Sequence, residues 1–373
     1  MTARTDTRIS KAFFSKPQTY ARAFSSGRLA HSRGFAPAAI FLIPAARVSS
    51  YTPRMSSETR FIQPVLPWLD DRGKHIQAHG GAIIRLNGEF FWFGEDRSPE
   101  NDPETRCVAC YSSTDLVNWK YRNQVLALKD PENFGHEWLI ERPKVFHNPK
   151  TGQFVMYAHL DGRAPGSPSR YSLARVAVAV CDTVDGDYEY VRSFRPLGKE
   201  SRDIGQFLDD DGQAYLIFES RPDKGFYIAR LSEDYLDVEQ EVAFIDAPIE
   251  GGAIVRYDGL YYCIGSHLTG WWPNANLYAT AEKLEGPWSE WKNIAPPETL
   301  TYASQSTNLL KITGSKTTTV IYLGDVWRPY ELWDSRYLWH PLEIGGGSLA
   351  LKPQGWMPGP WSIDLETGET TFA

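Results

Sequence analysis

Five polar side chains, His79, Glu141, Asp203, Glu250 and Gln305, stand eight to ten residues ahead of five turn dipeptides: Asn87-Gly88, Thr151-Gly152, Asp211-Gly212, Asp258-Gly259 and Gly314-Ser315. Three carboxyls, an imidazole and an amide gathered at one place are costly to desolvate unless they bind something, and like charges held close push their pKa values apart. A carboxyl that keeps its proton beside others that stay charged is what cleavage of a glycosidic bond uses, the protonated one serving the leaving oxygen. Glu250, within PIEGGAIVRYDGLYYCIGS, is the candidate for that proton. Taken singly, each acid would serve equally well to satisfy backbone amides at a strand entrance. The shared spacing is what favours a common site.

The elements around these residues repeat. Five times an apolar strand meets a turn and then a largely aromatic strand: GGAIIRLNGEFFWFGED, PKVFHNPKTGQFVMYAH, GQFLDDDGQAYLIFES, GGAIVRYDGLYYCIGS and TNLLKITGSKTTTVIYLGD. The turn dipeptides supply the positive φ that a tight hairpin needs. Further strand-like sequence follows each pair, giving four-stranded units of about 40 to 60 residues, the length of a propeller blade. Five units fill residues 75 to 350, and no amphipathic helical stretch interrupts them. The reading is an all-β, five-bladed β-propeller over residues 56–373, with Gly355 to Ala373 as a closing tail. In that architecture the first strand of each blade lines the central channel, so the five polar side chains converge at one end of the axis.

With those motifs in view, SRDIGQFLDDDGQAY around Asp203 and IEGGAIVRYDGLYY around Glu250 resemble glycoside hydrolase family 43. The stretch IQAHGGAIIRLNGEFFWFGED, the ERPKV of Glu141 to Val145 and the YASQSTN of Tyr302 to Asn308 are similar to its exo-β-1,3-galactanase branch. The likeness spans about Ile76 to Lys352. It implies a five-bladed propeller that releases galactose from β-1,3-galactan, the arabinogalactan backbone, with Glu250 as general acid and Asp203 as the residue that tunes it. Most of the family carries an Asp base on the first strand of the first blade, where this sequence reads Ala78-His79-Gly80-Gly81. The resemblance implies that Gln305 positions the attacking water instead, and that Glu141 binds a substrate hydroxyl, with a base role open to Glu141 or Glu95. The expected reaction is single displacement with inversion, the water held roughly 6.5 to 9.5 Å from the acid. Two rivals are an α-L-arabinofuranosidase or β-xylosidase of the same family, and a catalytically silent sugar-binding propeller.

The Trp271-Trp272-Pro273-Asn274 loop is expected to wall the pocket and stack on sugar, or else to pack in the core. Trp327 and Arg328 hold the matching place in the fifth blade, with Arg328 able to fork onto a hydroxyl or an acid. No cofactor is required by this reading; an ion in the channel, near His79 or His267, is the alternative.

A formal charge of -7 and a pI near 5.7 speak against nucleic acid or an anionic membrane surface as partner and suit an oligo- or polysaccharide. Cys107 and Cys110 lie three apart on a strand, facing opposite sides, which is poor geometry for a metal or redox pair. Residues 1–55 differ from the rest, with nine Arg and Lys against the single acid Asp6. That segment reads as a disordered basic leader resembling a transit peptide, or as an extension ahead of Met55. Its apolar run, Ala36 to Ala46, is too short to span a bilayer, which takes about 20 residues. Neither the leader nor the lack of an N-x-S/T sequon after it fixes a compartment.

Overall fold

The aromatic and β-branched runs of residues 61–373, the part of the chain that the computed structural model describes, fold as strands joined by turns, with helical structure limited to the four residues Leu300–Ala303 and three 3-10 turns. The leader expected over residues 1–55 lies outside the described residues. Antiparallel sheets follow one another along the chain. The first blade is β1 (His79–Leu86), β2 (Glu89–Asp96), β3 (Thr105–Ser113) and β4 (Lys120–Lys129). The second is β5 (Leu139–His147), β6 (Phe154–Asp161), β7 (Arg175–Cys181) and β8 (Glu189–Phe194). The third is β9 (Ile204–Leu208), β10 (Ala214–Ser220), β11 (Gly225–Leu231) and β12 (Val238–Asp246). The fourth is β13 (Ile249–Tyr257), β14 (Leu260–His267), β15 (Leu277–Ala281) and β16 (Lys292–Asn293). The fifth has three strands where four were expected: β17 (Gln305–Thr313), β18 (Thr318–Val326) and β19 (Arg336–Pro341). The first strands β1, β5, β9, β13 and β17 neighbour one another in a closed ring, as a five-bladed β-propeller requires.

Each sheet is apolar on both faces because it packs against two neighbours, and five hydrophobic clusters fill the five seams. Phe93, Val108, Trp138 and Val145 join blades one and two, and Tyr157, Val178, Leu216 and Phe218 join two and three. Phe226, Ile228, Ile254 and Cys263 join three and four, and Tyr262, Ile264, Val320 and Tyr322 join four and five. The closing seam is the most aromatic, with Trp92, Trp119, Trp339 and Trp361 packed together and Trp68 edge-on to Trp339 at 4.9 Å. Here chain segments from outside the blades help the short fifth sheet. Val65 donates its N–H to Tyr337, and Ile62 pairs with Trp361 of the tail hairpin. All four cysteines are unpaired, and burial pushes the Cys107 thiol up to about 11.

Four of the five predicted turns have their glycine at positive φ: Gly88, Gly152, Gly212 and Gly259. Gly314 does not. A Cβ there would lie 2.1 Å from the backbone of Thr367, so this glycine admits the C-terminal tail instead of turning the chain. Among the described residues no helix is long and apolar enough to cross a membrane.

Candidate active site

Four of the five inner strands carry a β-bulge just after the polar residue. The register shifts between His79 and Ala82, Glu141 and Lys144, Glu250 and Ala253, and Ser306 and Asn308. A bulge inserts one residue and re-aims its neighbour's side chain. The residue after the polar one takes positive φ in three blades, at Gly80, Arg142 and Gly251, with φ of 59°, 51° and 65°. Glycine fits twice because space is also short: a Cβ on Gly251 would lie 2.6 Å from the Ser306 carbonyl oxygen. Arg142 takes the same left-handed backbone while carrying a side chain, which reaches Asp203 and Gln305.

The result is a cavity of about 390 Å³ whose wall includes Glu141, Asp203, Glu250 and Gln305. His79 is fully buried and outside that wall. Its Nδ1 pairs with Asp325 at 3.2 Å, its ring stacks on Tyr337, and it supports the floor. Lys144 lies beneath as well, donating to the carbonyls of Gly80 and Gly81.

Glu250 is 3% exposed. Its Oε1 accepts from the Gly270 N–H at 2.9 Å and from Gln305 Nε2 at 3.0 Å, and its Oε2 accepts from Arg221 at 2.9 Å. Burial, then the charges of Asp203 and Glu219, push this carboxyl up to about 8, against the pull of Arg221 and Arg142. Asp203, just ahead of β9, accepts from the Gly251 N–H at 3.0 Å and pairs with Arg142 at 2.7 Å. The Gln305 carbonyl oxygen accepts from Arg142 at 2.7 Å and from Trp327 Nε1 at 2.8 Å. Both partners are donors only, so the amide atom facing them is the oxygen and the NH2 faces Glu250. Gln305 and Glu250, on adjacent blades, are thus in direct contact.

Across the ring, Glu141 belongs to blade two and is not adjacent to blade four. It accepts from the Tyr171 hydroxyl at 3.0 Å and from Arg97 at 3.3 Å, and lies 3.5 Å from His159. Burial opposes its charge, but His159 and Arg97 outweigh burial and hold it down at about 2. His159 is in turn raised to about 10, against burial, by Asp161 and Glu141. Glu95 lines the same wall, takes the Arg142 N–H at 2.9 Å and pairs with Arg97.

Trp271 is on the cavity wall with the Arg97 guanidinium 5.9 Å from its ring, while Trp272 is 55% exposed and meets Tyr330 edge-on at 6.1 Å. Trp327 reaches the cavity through its bond to Gln305. Arg328 pairs with Asp334 and is not on the wall. His267 is exposed. Among the described residues, the three carboxyls of Asp203, Glu219 and Glu250 have oxygens within 4.8 Å of one another, and neither His79 nor His267 belongs to that group.

Sequence reasoning named Glu95 but missed the second ring to which it belongs. The residue opposite each inner position on the second strand is also polar: Glu95 faces His79, His159 faces Glu141, Ser266 faces Glu250 and Asp325 faces Gln305. Glu219 faces Asp203 one step beyond the Phe218–Ile204 pair, its N–H donating to the Asp203 carbonyl at 3.0 Å while its own carbonyl accepts from the Arg202 N–H. Cross-strand partners share a sheet face, so each supports its neighbour. The signal was in the repeat: the aromatic strands end FGED, MYAH, IFES, CIGS and YLGD. Arg142, Tyr171 and Arg221 are further wall residues that spacing did not single out.

A family model described as glycosyl hydrolases family 43 matches residues 82–330. Among solved structures, the chain is similar to an exo-β-1,3-galactanase from Phanerochaete chrysosporium solved with β-1,3-galactotriose, at 38% identity and a TM-score of 0.76, covering 84% of this chain and 71% of that one. An exo-β-1,3-galactanase from Clostridium thermocellum gives 33% identity and a TM-score of 0.73, over 84% of this chain and 68% of that one. A putative exo-β-1,3-galactanase from Bifidobacterium bifidum gives 34% and 0.72, over 81% of this chain and 99% of the other. A search of curated proteins returned no match.

Proposed function

Since this chain belongs to glycosyl hydrolase family 43, we propose that its cavity is the active site of a glycosidase that releases galactose from β-1,3-galactan, with inversion at the anomeric carbon. The observation that carries the reading is the raised carboxyl of Glu250 beside Asp203, in a wall whose solved relatives are exo-β-1,3-galactanases. Glu250 gives its proton to the glycosidic oxygen, and the charge of Asp203 keeps that proton in place until the bond breaks. Gln305, fixed by Arg142 and Trp327, holds one oxygen of Glu250 so that the other faces the leaving group.

The attacking water falls on the Glu141 side in this proposal, because Glu141 is the charged carboxylate two blades from the acid and Gln305 is engaged with Glu250 itself. The step routes no charge through a metal ion or cofactor. Arg142 and Arg221 supply positive charge beside the three carboxyls. Trp271 offers an apolar face to the sugar ring.

Incubation with β-1,3-galactan, arabinan and xylooligosaccharides, with the released sugar identified and its first anomer read by proton NMR, tests the proposal. Galactose released first as the α-anomer is the expected result. Arabinose or xylose as the main product, no sugar at all, or first release of the β-anomer would each overturn part of it.

A further inference from the structure

Glu219 stands on the second strand of the third blade, directly across from Asp203 and 2% exposed. We propose that Glu219 is a positioning residue for the acid: together with Arg221, which bridges the two glutamates, it sets how tightly Glu250 holds its proton. The inference rests on Glu250 being the proton donor.

The geometry is a shared clamp. Carboxylate oxygens of Asp203, Glu219 and Glu250 lie within 4.8 Å of one another. Arg221, on the turn after β10, donates from Nε to Glu219 Oε1 and from Nη2 to Glu250 Oε2, the latter at 2.9 Å. The second oxygen of Glu219 is buried without any hydrogen-bond partner, so this carboxyl depends on Arg221 for its side-chain hydrogen bond. One guanidinium thus serves two carboxyls, and its stronger bond goes to whichever is ionised.

The balance at Glu250 explains why a second like charge matters. Its three donors, Gln305, Gly270 and Arg221, all favour the ionised form. Burial and the neighbouring carboxylates oppose them. The other charged groups facing the pair are Arg142 from β5, beside Asp203, and Arg202, beside Glu219, with Lys144 beneath Asp203. Arg142 is already committed to Asp203 and Gln305. Removing Glu219 would leave Asp203 as the one like charge against those donors, and Glu250 would ionise at lower pH. Glu219 is itself pushed up to about 7, by burial first and then by Asp203, which fits a carboxyl that shares its proton with a neighbour.

The test is the pH dependence of kcat/KM on a β-1,3-linked galactooligosaccharide for Glu219→Gln and Arg221→Gln. An acid that must be protonated sets the alkaline limb of that profile. Loss of the Glu219 charge moves the limb down by about one pH unit or more, and loss of the Arg221 charge moves it up. Folded variants whose limbs stay at the wild-type position, whatever their rate, overturn the inference. Should Glu219→Gln fail to fold, the half-exposed Arg221→Gln decides alone. A Glu250→Gln variant with near-normal turnover would instead remove the donor assignment, leaving the two outcomes distinguishable.

Discussion

On the wall built from blades three to five, Glu250 faces Asp203 and Glu219 and is pushed up to about 8. On the wall built from blades one and two, Glu141 faces Arg97, His159 and Tyr171 and is held down at about 2. Both side chains are buried, both directly precede an inner-strand bulge, and both start from the same ordinary carboxyl. Burial raises each of them. What separates them is the balance of neighbouring charge: at Glu250 burial, Asp203 and Glu219 outweigh Arg221 and Arg142, whereas at Glu141 His159 and Arg97 outweigh burial. A propeller makes such asymmetry easy to build, since equivalent positions in successive blades share geometry while each carries its own residue. The difference divides the chemistry into a wall that keeps a proton and a wall that keeps a charge.

The contrast breaks most severely if the proton is removed. Glu250→Gln keeps the shape and one acceptor oxygen for Gly270, gives up the acceptor that faces Arg221 and has no acidic proton to donate, and turnover of unactivated β-1,3-galactan is expected to fall roughly 10³- to 10⁴-fold. Steady-state rates within tenfold of wild type would dissolve the distinction between the walls. The next largest effect comes from the charged wall. Glu141→Ala is expected to lose about 10²- to 10³-fold, with partial recovery when azide replaces the missing carboxylate and α-galactosyl azide as the product. If azide instead rescues Gln305→Ala and leaves Glu141→Ala inactive, the water belongs to the amide, and Glu141 only holds substrate.

The propeller and its inner ring were legible because both are periodic. The turn glycines mark the hairpins, and the spacing from polar residue to turn fixes equivalent places. Periodicity also misled at the ends of the repeat. Gly314 matches the other turn glycines in position yet serves the packing of Thr367, and the fifth blade has three strands. His79 holds the first place of the ring and still points into the floor, because Asp325 from the neighbouring blade captures its imidazole. The cross-blade partners were not legible from spacing. That Arg142 reaches both Asp203 and Gln305, or that Arg221 joins Glu219 to Glu250, depends on side chains meeting across strands far apart in the chain.

The smallest expected effect probes the charged wall most cleanly. Tyr171 donates its hydroxyl to Glu141 at 3.0 Å and so favours the ionised form. Tyr171→Phe removes that donor while keeping the ring, leaving Arg97 and His159 to hold the charge. The Glu141 carboxyl then rises towards the ordinary range, and the acid limb of kcat/KM moves up by about one pH unit, the scale of one hydrogen bond to a charged group. The alkaline limb, which belongs to Glu250 on the other wall, stays in place, and the rate near pH 7 falls only a few-fold. Movement of both limbs together would mean that the walls are electrostatically one unit. An unmoved acid limb with a raised KM would mean that the Tyr171 hydroxyl serves the sugar and that Arg97 and His159 suffice to keep Glu141 charged.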